Sequence, residues 1–339
     1  MSKESRMAVT QSQIARAVGV SQTIVSDVLH GRLRGRVRPE TRQRILSTAR
    51  ELGYRPNALA QALRMRQSRQ IVYLATLDET REFPALRESD LAGVAKTLRE
   101  EGYRLLIEIA KATDMEASVL SEMIATGICD GGVLRVYRGS DQLWDDLGQI
   151  PEPIVLIGQC PHPDLTSVAH DAPRLIRGAI DHLRSLGHEQ IGLIIAPVHD
   201  VYHKLIIDTW REVIQDSKRW YGEASHRLDS AQIVSGWLAE EHRPTAIVAL
   251  SPACVLGATS AIREGGLVLG RDIDLHAVDD LATRWYYQDG TWLSGLDMDA
   301  VGVCAAQALL AMLEGKPKPG PIRLMPTISR IEADPPGAS

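Results

Sequence analysis

The chain has 339 residues, 44% of them hydrophobic and 24% charged, with a net charge of −5 and four cysteines. That length suits two or three domains with substantial cores, and no run of 18 or more apolar residues offers a membrane span. Met1-Ser-Lys-Glu-Ser-Arg6 has no apolar stretch behind it, so no signal peptide is expected; Cys129, Cys160, Cys254 and Cys304 are scattered, which argues against a disulfide framework and a CxxC zinc site.

The net charge hides an asymmetry. Residues 1–70 hold 14 Lys and Arg against 4 Asp and Glu, a net of +10, which leaves −15 for the remainder. A basic head on an acidic body is the electrostatic footprint of a nucleic-acid-binding module joined to a part that phosphates repel.

In chain order, Ile14, Ala15 and Val18 recur at helical spacing. Thr10 and Gln13 form a capping-box pattern before them, and Gly19 ends the helix. Ser21 caps a second helix with Ile24, Val25, Val28 and Leu29 inward. Two short helices joined through Gly19 read as a helix-turn-helix, in which the second helix enters the major groove. The loop that follows carries arginines at 32, 34, 36 and 38; it reads either as a solvated surface loop or, beside such a unit, as one whose Arg32, Arg34 and Arg36 suit phosphate contacts, which position a protein without reading sequence. Pro39 opens a third helix, with Ile45, Leu46, Ala49 and Leu52 inward and Gly53 closing it.

Three phrases carry a resemblance: Ile14-Ala-Arg-Ala-Val-Gly-Val-Ser21, Pro39-Glu-Thr-Arg-Gln-Arg-Ile-Leu46, and Glu51-Leu-Gly-Tyr-Arg-Pro-Asn-Ala-Leu-Ala-Gln-Ala-Leu63. In this order they resemble the DNA-binding headpiece of the lactose-repressor (LacI/GalR) family. The resemblance implies a headpiece over 8–55 and a hinge helix with linker over 56–69. It implies that Gln22, Thr23 and Asp27 reach base edges, and that Leu63 wedges into the minor groove as apolar intercalating side chains do, the alternative for Leu63 being plain core packing. It extends the DNA interface to Thr10, Ser21, Ser26, Asn57, Ala60 and Arg64. Asp27, where family members often carry a donor, is expected to accept from cytosine N4 or else to pair with Arg32.

From Gln70 the texture changes. Strands are expected at 71–75, 103–109, 131–136 and 153–158, with helices over 90–101 and about 114–126. The pattern then restarts with helix 172–186, strand 190–195, helix about 204–216, a strand near 225–228 and helix 230–240. Strand 246–250, helix 253–264 and strand 273–278 complete it. Alternation of this kind gives parallel α/β sheets, here in two similar lobes. The phrases His182-Leu-Arg-Ser-Leu-Gly-His188, Arg243-Pro-Thr-Ala-Ile-Val248, Ile262-Arg-Glu-Gly-Gly266 and Val278-Asp-Asp280 continue the resemblance, more sparsely. It implies a two-lobed, periplasmic-binding-protein-like effector domain. Lobe 1 is expected over 70–162 plus about 294–325, and lobe 2 over 163–293 plus about 326–339, with a late helix from Gly302 to Gly315.

Where sugar-sensing relatives carry polar cleft side chains, this chain has Gly158, Ile206 and Pro252, none of which hydrogen-bonds through its side chain. The effector set expected in the cleft is Arg87, Gln159, Ile206, Pro252, Asp279 and Trp285. Arg87 suits either a solvated helix position or a carboxylate or phosphate, and Trp285, Tyr286, Tyr287 and Trp292 suit either a stacking wall or a core cap. His199 and His203 lie four apart without a third ligand and read as helix-surface residues. No catalytic constellation, cofactor motif or metal site is read. The expected function is a cytoplasmic, nucleoid-associated regulator, more a repressor than an activator, binding palindromic operator DNA as a homodimer, with a small effector that is not a typical neutral sugar. The alternatives are the same regulator answering to a protein partner, and an α/β enzyme with a basic N-terminal module.

Overall fold

The computed structural model describes every residue except 1–8, 30–36, 55–66, 78–87, 112–115, 137–140, 198–200, 217 and 333–339. The chain divides into two compact units, Met1–Gln67 and Ser68–Ser339, here the head and the body.

The head packs α1 (Gln11–Val18), α2 (Gln22–Leu29) and α3 (Pro39–Glu51) around Ile14, Val18, Val25, Val28, Ile45 and Ala49. Ile14 and Ile45 have no exposed surface, and truncating either to alanine removes roughly 2–5 kcal/mol from a small core. The expected inward Leu52 is instead 42% exposed. The reason is the helix end: α3 stops at Glu51, Gly53 turns left-handed at φ +67°, and the Tyr54 N–H bonds the Ala49 carbonyl at 2.8 Å. That closure sends Tyr54, not Leu52, onto the core.

The body holds two six-stranded sheets. The first comprises β1 (Gln70–Leu77), β2 (Arg104–Lys111), β3 (Gly131–Arg135), β4 (Ile154–Ile157), β5 (Ser167–His170) and β11 (Ile322–Leu324), in the order β11-β5-β4-β3-β1-β2. All its pairings are parallel. Strand β1 is buried on both faces, so its apolar run is continuous: Ile71, Tyr73 and Ala75 meet α4 (Glu88–Glu100) and α11 (Met298–Leu313), while Val72 and Leu74 meet α5 (Glu116–Ala125) and α6 (Asp141–Gly148). Helices α4 and α11 lie so close that a Cβ on Gly93 would overlap the Asp299 carbonyl, and one on Gly302 the Asp90 carbonyl.

The second sheet repeats that order: β12 (Thr327–Arg330), β10 (Trp292–Leu296), β9 (Asp274–Asp280), β8 (Ala246–Leu250), β6 (Ile191–Ile195) and β7 (Tyr221–Glu223). Only β12 runs antiparallel, against β10. Helices α7 (Ala172–Ser185) and α8 (Val201–Val213) cover one face; α9 (Arg227–Leu238) and α10 (Pro252–Glu264) cover the other.

Three elements revise the sequence reading. The four-residue β5 joins the first sheet, so that lobe runs to His170 rather than 162. Strand β10 belongs to the second sheet, and the return to the first begins at α11 rather than 294. The strand expected near 225–228 is β7 at Tyr221–Glu223, because His226 is already the N-cap of α9. The chain therefore crosses between lobes at Asp171, at Asp297 and at Met325-Pro326. At the first two crossings the aspartate caps the next helix, Asp171 accepting from the Arg174 N–H at 3.0 Å and Asp297 from the Ala300 N–H at 2.9 Å.

Candidate nucleic-acid interface and interlobe site

The head's geometry follows from its caps. Thr10 Oγ1 accepts from the Gln13 N–H at 3.3 Å, and Gln13 Oε1 accepts from the Thr10 N–H at 2.8 Å, closing the capping box. Gly19 takes φ +74°, which only glycine adopts without steric cost, and Ser21 Oγ accepts from the Ile24 N–H at 3.3 Å to start α2. Gln22 and Thr23 are exposed in the first turn of α2, and Asp27 is half-buried one turn on. Ser26, expected at the interface, is buried on α2 between Val25 and the half-buried Asp27. Arg44 Nη2 donates to the Val18 carbonyl at 3.0 Å, tying α3 to the end of α1. Ser12 Oγ meets Gln22 Oε1 at 3.0 Å, a contact between the two helices that periodicity could not reveal.

The expected contacts Arg32, Arg34, Arg36, Asn57, Ala60, Leu63 and Arg64, with Arg87 and His199 elsewhere, lie outside the described residues. What the structure does show is the anchor where the linker enters the body. Both oxygens of Asp130 are used there: Oδ1 takes the Ser68 N–H at 2.6 Å and its hydroxyl at 2.8 Å, and Oδ2 the Arg69 N–H at 2.9 Å.

The interlobe site lies at the carboxyl ends of the strands, where ligands of α/β sheets bind. Gly158 follows β4 at φ +132°, and a Cβ there would stand 2.5 Å from the Val136 carbonyl oxygen, so the backbone itself excludes a side chain. Gln159 is buried, its Nε2 donating to the His170 carbonyl at 2.6 Å. Ile206 is a correction: it has no exposed surface and packs with Leu175, Ile195 and Trp210 in the second lobe's core. Asp279 is a second correction. Its carboxylate is turned inward, taking the Thr283 hydroxyl at 2.9 Å and the Tyr287 hydroxyl. Pro252 is half-buried at the first position of α10. It follows Ser251, whose φ of +93° is a conformation that side chains rarely adopt.

Sequence reasoning missed the polar groups that meet here. The buried Asp90, at the start of α4, forms an ion pair with the buried Arg135 at the end of β3. Next to Asp90, the Ser89 hydroxyl donates across the lobes to Asp280 Oδ2 at 2.5 Å; Oδ1 takes the Ala282 N–H at 3.0 Å. His170, at the end of β5, is buried, and desolvation pushes its imidazole down to about 4 against the opposing pull of Asp297 and Asp280. It is therefore neutral at pH 7, and its Nε2 is buried without a hydrogen-bond partner. Asp280 had a signal, the Val278-Asp-Asp280 phrase; the others had none.

The aromatic group divides. Trp285 and Tyr286 are 65% and 68% exposed on a 3-10 turn (Leu281–Tyr286), the Arg284 guanidinium 4.0 Å from the Trp285 ring. Tyr287 turns in to Asp279, and Trp292 packs against the His182 ring at 4.3 Å. They do not form one wall. His203 lies on α8 with its ring edge on Tyr202 at 5.4 Å. No helix of the described residues is long and apolar enough to cross a membrane, and no group of three or more His, Cys, Asp or Glu among them is arranged to hold a metal ion.

Known proteins agree with this arrangement over most of the chain. The profile of bacterial regulatory proteins of the lacI family matches residues 10–57, and that of the periplasmic binding protein-like domain matches 180–332. The HTH-type transcriptional regulator AglR of Rhizobium meliloti is 30% identical over 301 residues, covering 81% of this chain and 79% of its own length. The HTH-type transcriptional repressor PurR of Haemophilus influenzae is 25% identical over 288 residues, with 82% and 83% covered. A crystal structure of the lac repressor dimer bound to operator and the anti-inducer ONPF shares the fold, with a TM-score of 0.82 at 23% identity over 96% of this chain and 99% of that one. A capped helix-turn-helix before a two-lobed α/β body, with a relative this close over most of its length, makes the chain a member of the lacI family: a DNA-binding transcriptional regulator, not an enzyme.

Proposed function

We propose that this regulator represses transcription as a homodimer on a palindromic operator, working in the cytoplasm at the nucleoid, and that its interlobe site takes a small effector other than a neutral sugar. The observation that carries the DNA reading is the exposed first turn of α2, Gln22 and Thr23, on a head whose other helices fix its direction. One helix-turn-helix reads one half-site, so two copies are needed for a palindrome. Dimerisation is supported by β2, the outer strand of the first sheet, which leaves Ile107 and Ile109 50% and 47% exposed. In this reading Arg32, Arg34 and Arg36 contact phosphates, and Asn57, Ala60, Leu63 and Arg64 meet the minor groove. Asp27 accepts from cytosine N4.

The effector reading rests on what the carboxyl ends offer. Gly158 and Pro252 give no side-chain hydrogen bond, and Asp279 is committed to Thr283 and Tyr287. A polyol hydroxyl buried unpaired costs roughly 1–3 kcal/mol, which weighs against hexoses and pentoses. The Ser89–Asp280 bond joins the lobes, so a ligand that binds better with that bond broken, or with it kept, shifts the body between two states. One experiment tests both parts: gel retardation of operator by the full chain and by a chain lacking 1–68, with and without millimolar glucose, galactose and ribose. Only the full chain is expected to retard DNA, and the sugars are expected to change nothing. Retardation by the shortened chain at physiological salt refutes the DNA assignment; release or tightening by a sugar refutes the effector assignment.

A further inference from the structure

We infer that Ser12 is a positioning residue for base readout: its hydroxyl holds the acceptor end of the Gln22 amide, so that Gln22 leads with its NH2 group and selects a keto-edged base, guanine or thymine, in each half-site. The inference rests on the reading of α2 as the recognition helix.

Ser12 is the second residue of α1 and Gln22 the first of α2; the turn through Gly19 brings them together, with Oγ 3.0 Å from Oε1. The Ser12 hydroxyl is not needed for capping, because Thr10 and Gln13 close the box on their own. A glutamine with both ends free reads adenine, its oxygen accepting from N6 and its nitrogen donating to N7. Here the oxygen faces back to α1. The two amide hydrogens point away from it, and the acceptors that match them in the major groove are guanine O6 and N7 or thymine O4. Cytosine presents a donor at that edge, and adenine pairs its one acceptor with an amino group that the oxygen, turned back towards α1, no longer faces. Asp27, one turn further along α2, offers only acceptors, so the helix presents a donor first and an acceptor second along its axis.

The test is binding-site selection with the full-length chain, its Ser12→Ala, Ser12→Thr and Gln22→Ala variants, and the Ser12→Ala/Gln22→Ala double variant. The wild type is expected to select a palindrome with guanine or thymine at one symmetric position that Gln22→Ala flattens. Ser12→Ala should lower the preference at that same position by about three- to tenfold and let adenine rise, while the other positions keep theirs. Ser12→Thr should retain it, and the double variant should match Gln22→Ala, since the hydroxyl acts only through the amide. Because Ser12 lies outside the buried core and alanine is the better helix former, the variants should melt with the wild type. Adenine at the Gln22-dependent position, an unchanged motif in Ser12→Ala, or uniform weakening at every position overturns the inference. A wild type that selects no palindrome refutes the recognition-helix reading itself, a separate and distinguishable failure.

Discussion

The two lobes repeat one strand order but finish their outer edges differently. In the first sheet the outer strand β2 has eight residues, and Ile107 and Ile109 stand half exposed beside its unpaired backbone. In the second, the corresponding β7 has three; its Tyr221 hydroxyl bonds Glu223, and the Trp220 ring before it is buried, with its indole N–H on Glu240 at 3.2 Å. A long apolar edge invites pairing with another chain and a short one does not. The lobes also differ beside the interlobe site: the first buries an ion pair, Asp90 with Arg135, whereas in the second the buried Asp279 accepts from the Thr283 and Tyr287 hydroxyls.

The sharpest way to break the comparison is to remove one charge. Arg135→Met leaves the Asp90 carboxylate buried without its counter-charge and should cost about 3–5 kcal/mol of stability, whereas Tyr287→Phe in the second lobe removes one hydrogen bond to Asp279 and should cost about 1.5–3 kcal/mol. Denaturant melts of the two variants compare them; equal losses would erase the distinction.

Acid probes the histidines. Burial pushes His276 down to about 3 and His170 to about 4, both below the ordinary 6.5. The unfolded chain then binds more protons below pH 6.5, so stability present above that pH is lost as pH falls from 6.5 towards 4 and then 3. From His276 alone the loss should reach on the order of 3 kcal/mol by pH 4. His276→Phe should flatten the pH dependence of the melting temperature in that window more than any first-lobe substitution does; an unaltered slope removes His276 as its source.

The edge comparison predicts a smaller effect, read in binding. Lysines at both Ile107 and Ile109 should leave a folded monomer by sedimentation, with operator affinity lower by about a hundredfold, or roughly 2.7 kcal/mol. Tyr221→Phe on β7 should sediment as the wild type does. A dimeric double-lysine variant moves the interface away from β2.

What the sequence announced and what it concealed divide by range. Thr10, Gln13, Gly19 and Ser21 were legible because a cap is a contract among neighbours three or four residues apart. The β–α alternation was legible because both faces of each sheet are covered, but β5, four residues long, is too short for its spacing to show. The polar meeting at the carboxyl ends left no local trace: Ser89 and Asp280 are 191 residues apart. Ile206 and Asp279 were assigned to the cleft by matched position, and position does not report direction; one side chain turned into the core and the other onto Tyr287. Leu52 matched the inward spacing of α3 but sits one residue past its end.

The crossings set how the lobes can move. Two of them are a single aspartate wide, each locked to the helix it starts, and the third is the pair Met325-Pro326, whose proline ring fixes one torsion. Just beyond the second crossing, α11 meets α4 backbone to backbone through Gly302 and Gly93, both on the first lobe, so that lobe moves as one piece. Flexures this short transmit force but store little displacement. Connections this short favour rotation of one lobe against the other about the three crossings over sliding between them. In a rotation of that kind displacement grows with distance from the crossings, so a small shift near them corresponds to a larger swing at the far ends of the lobes.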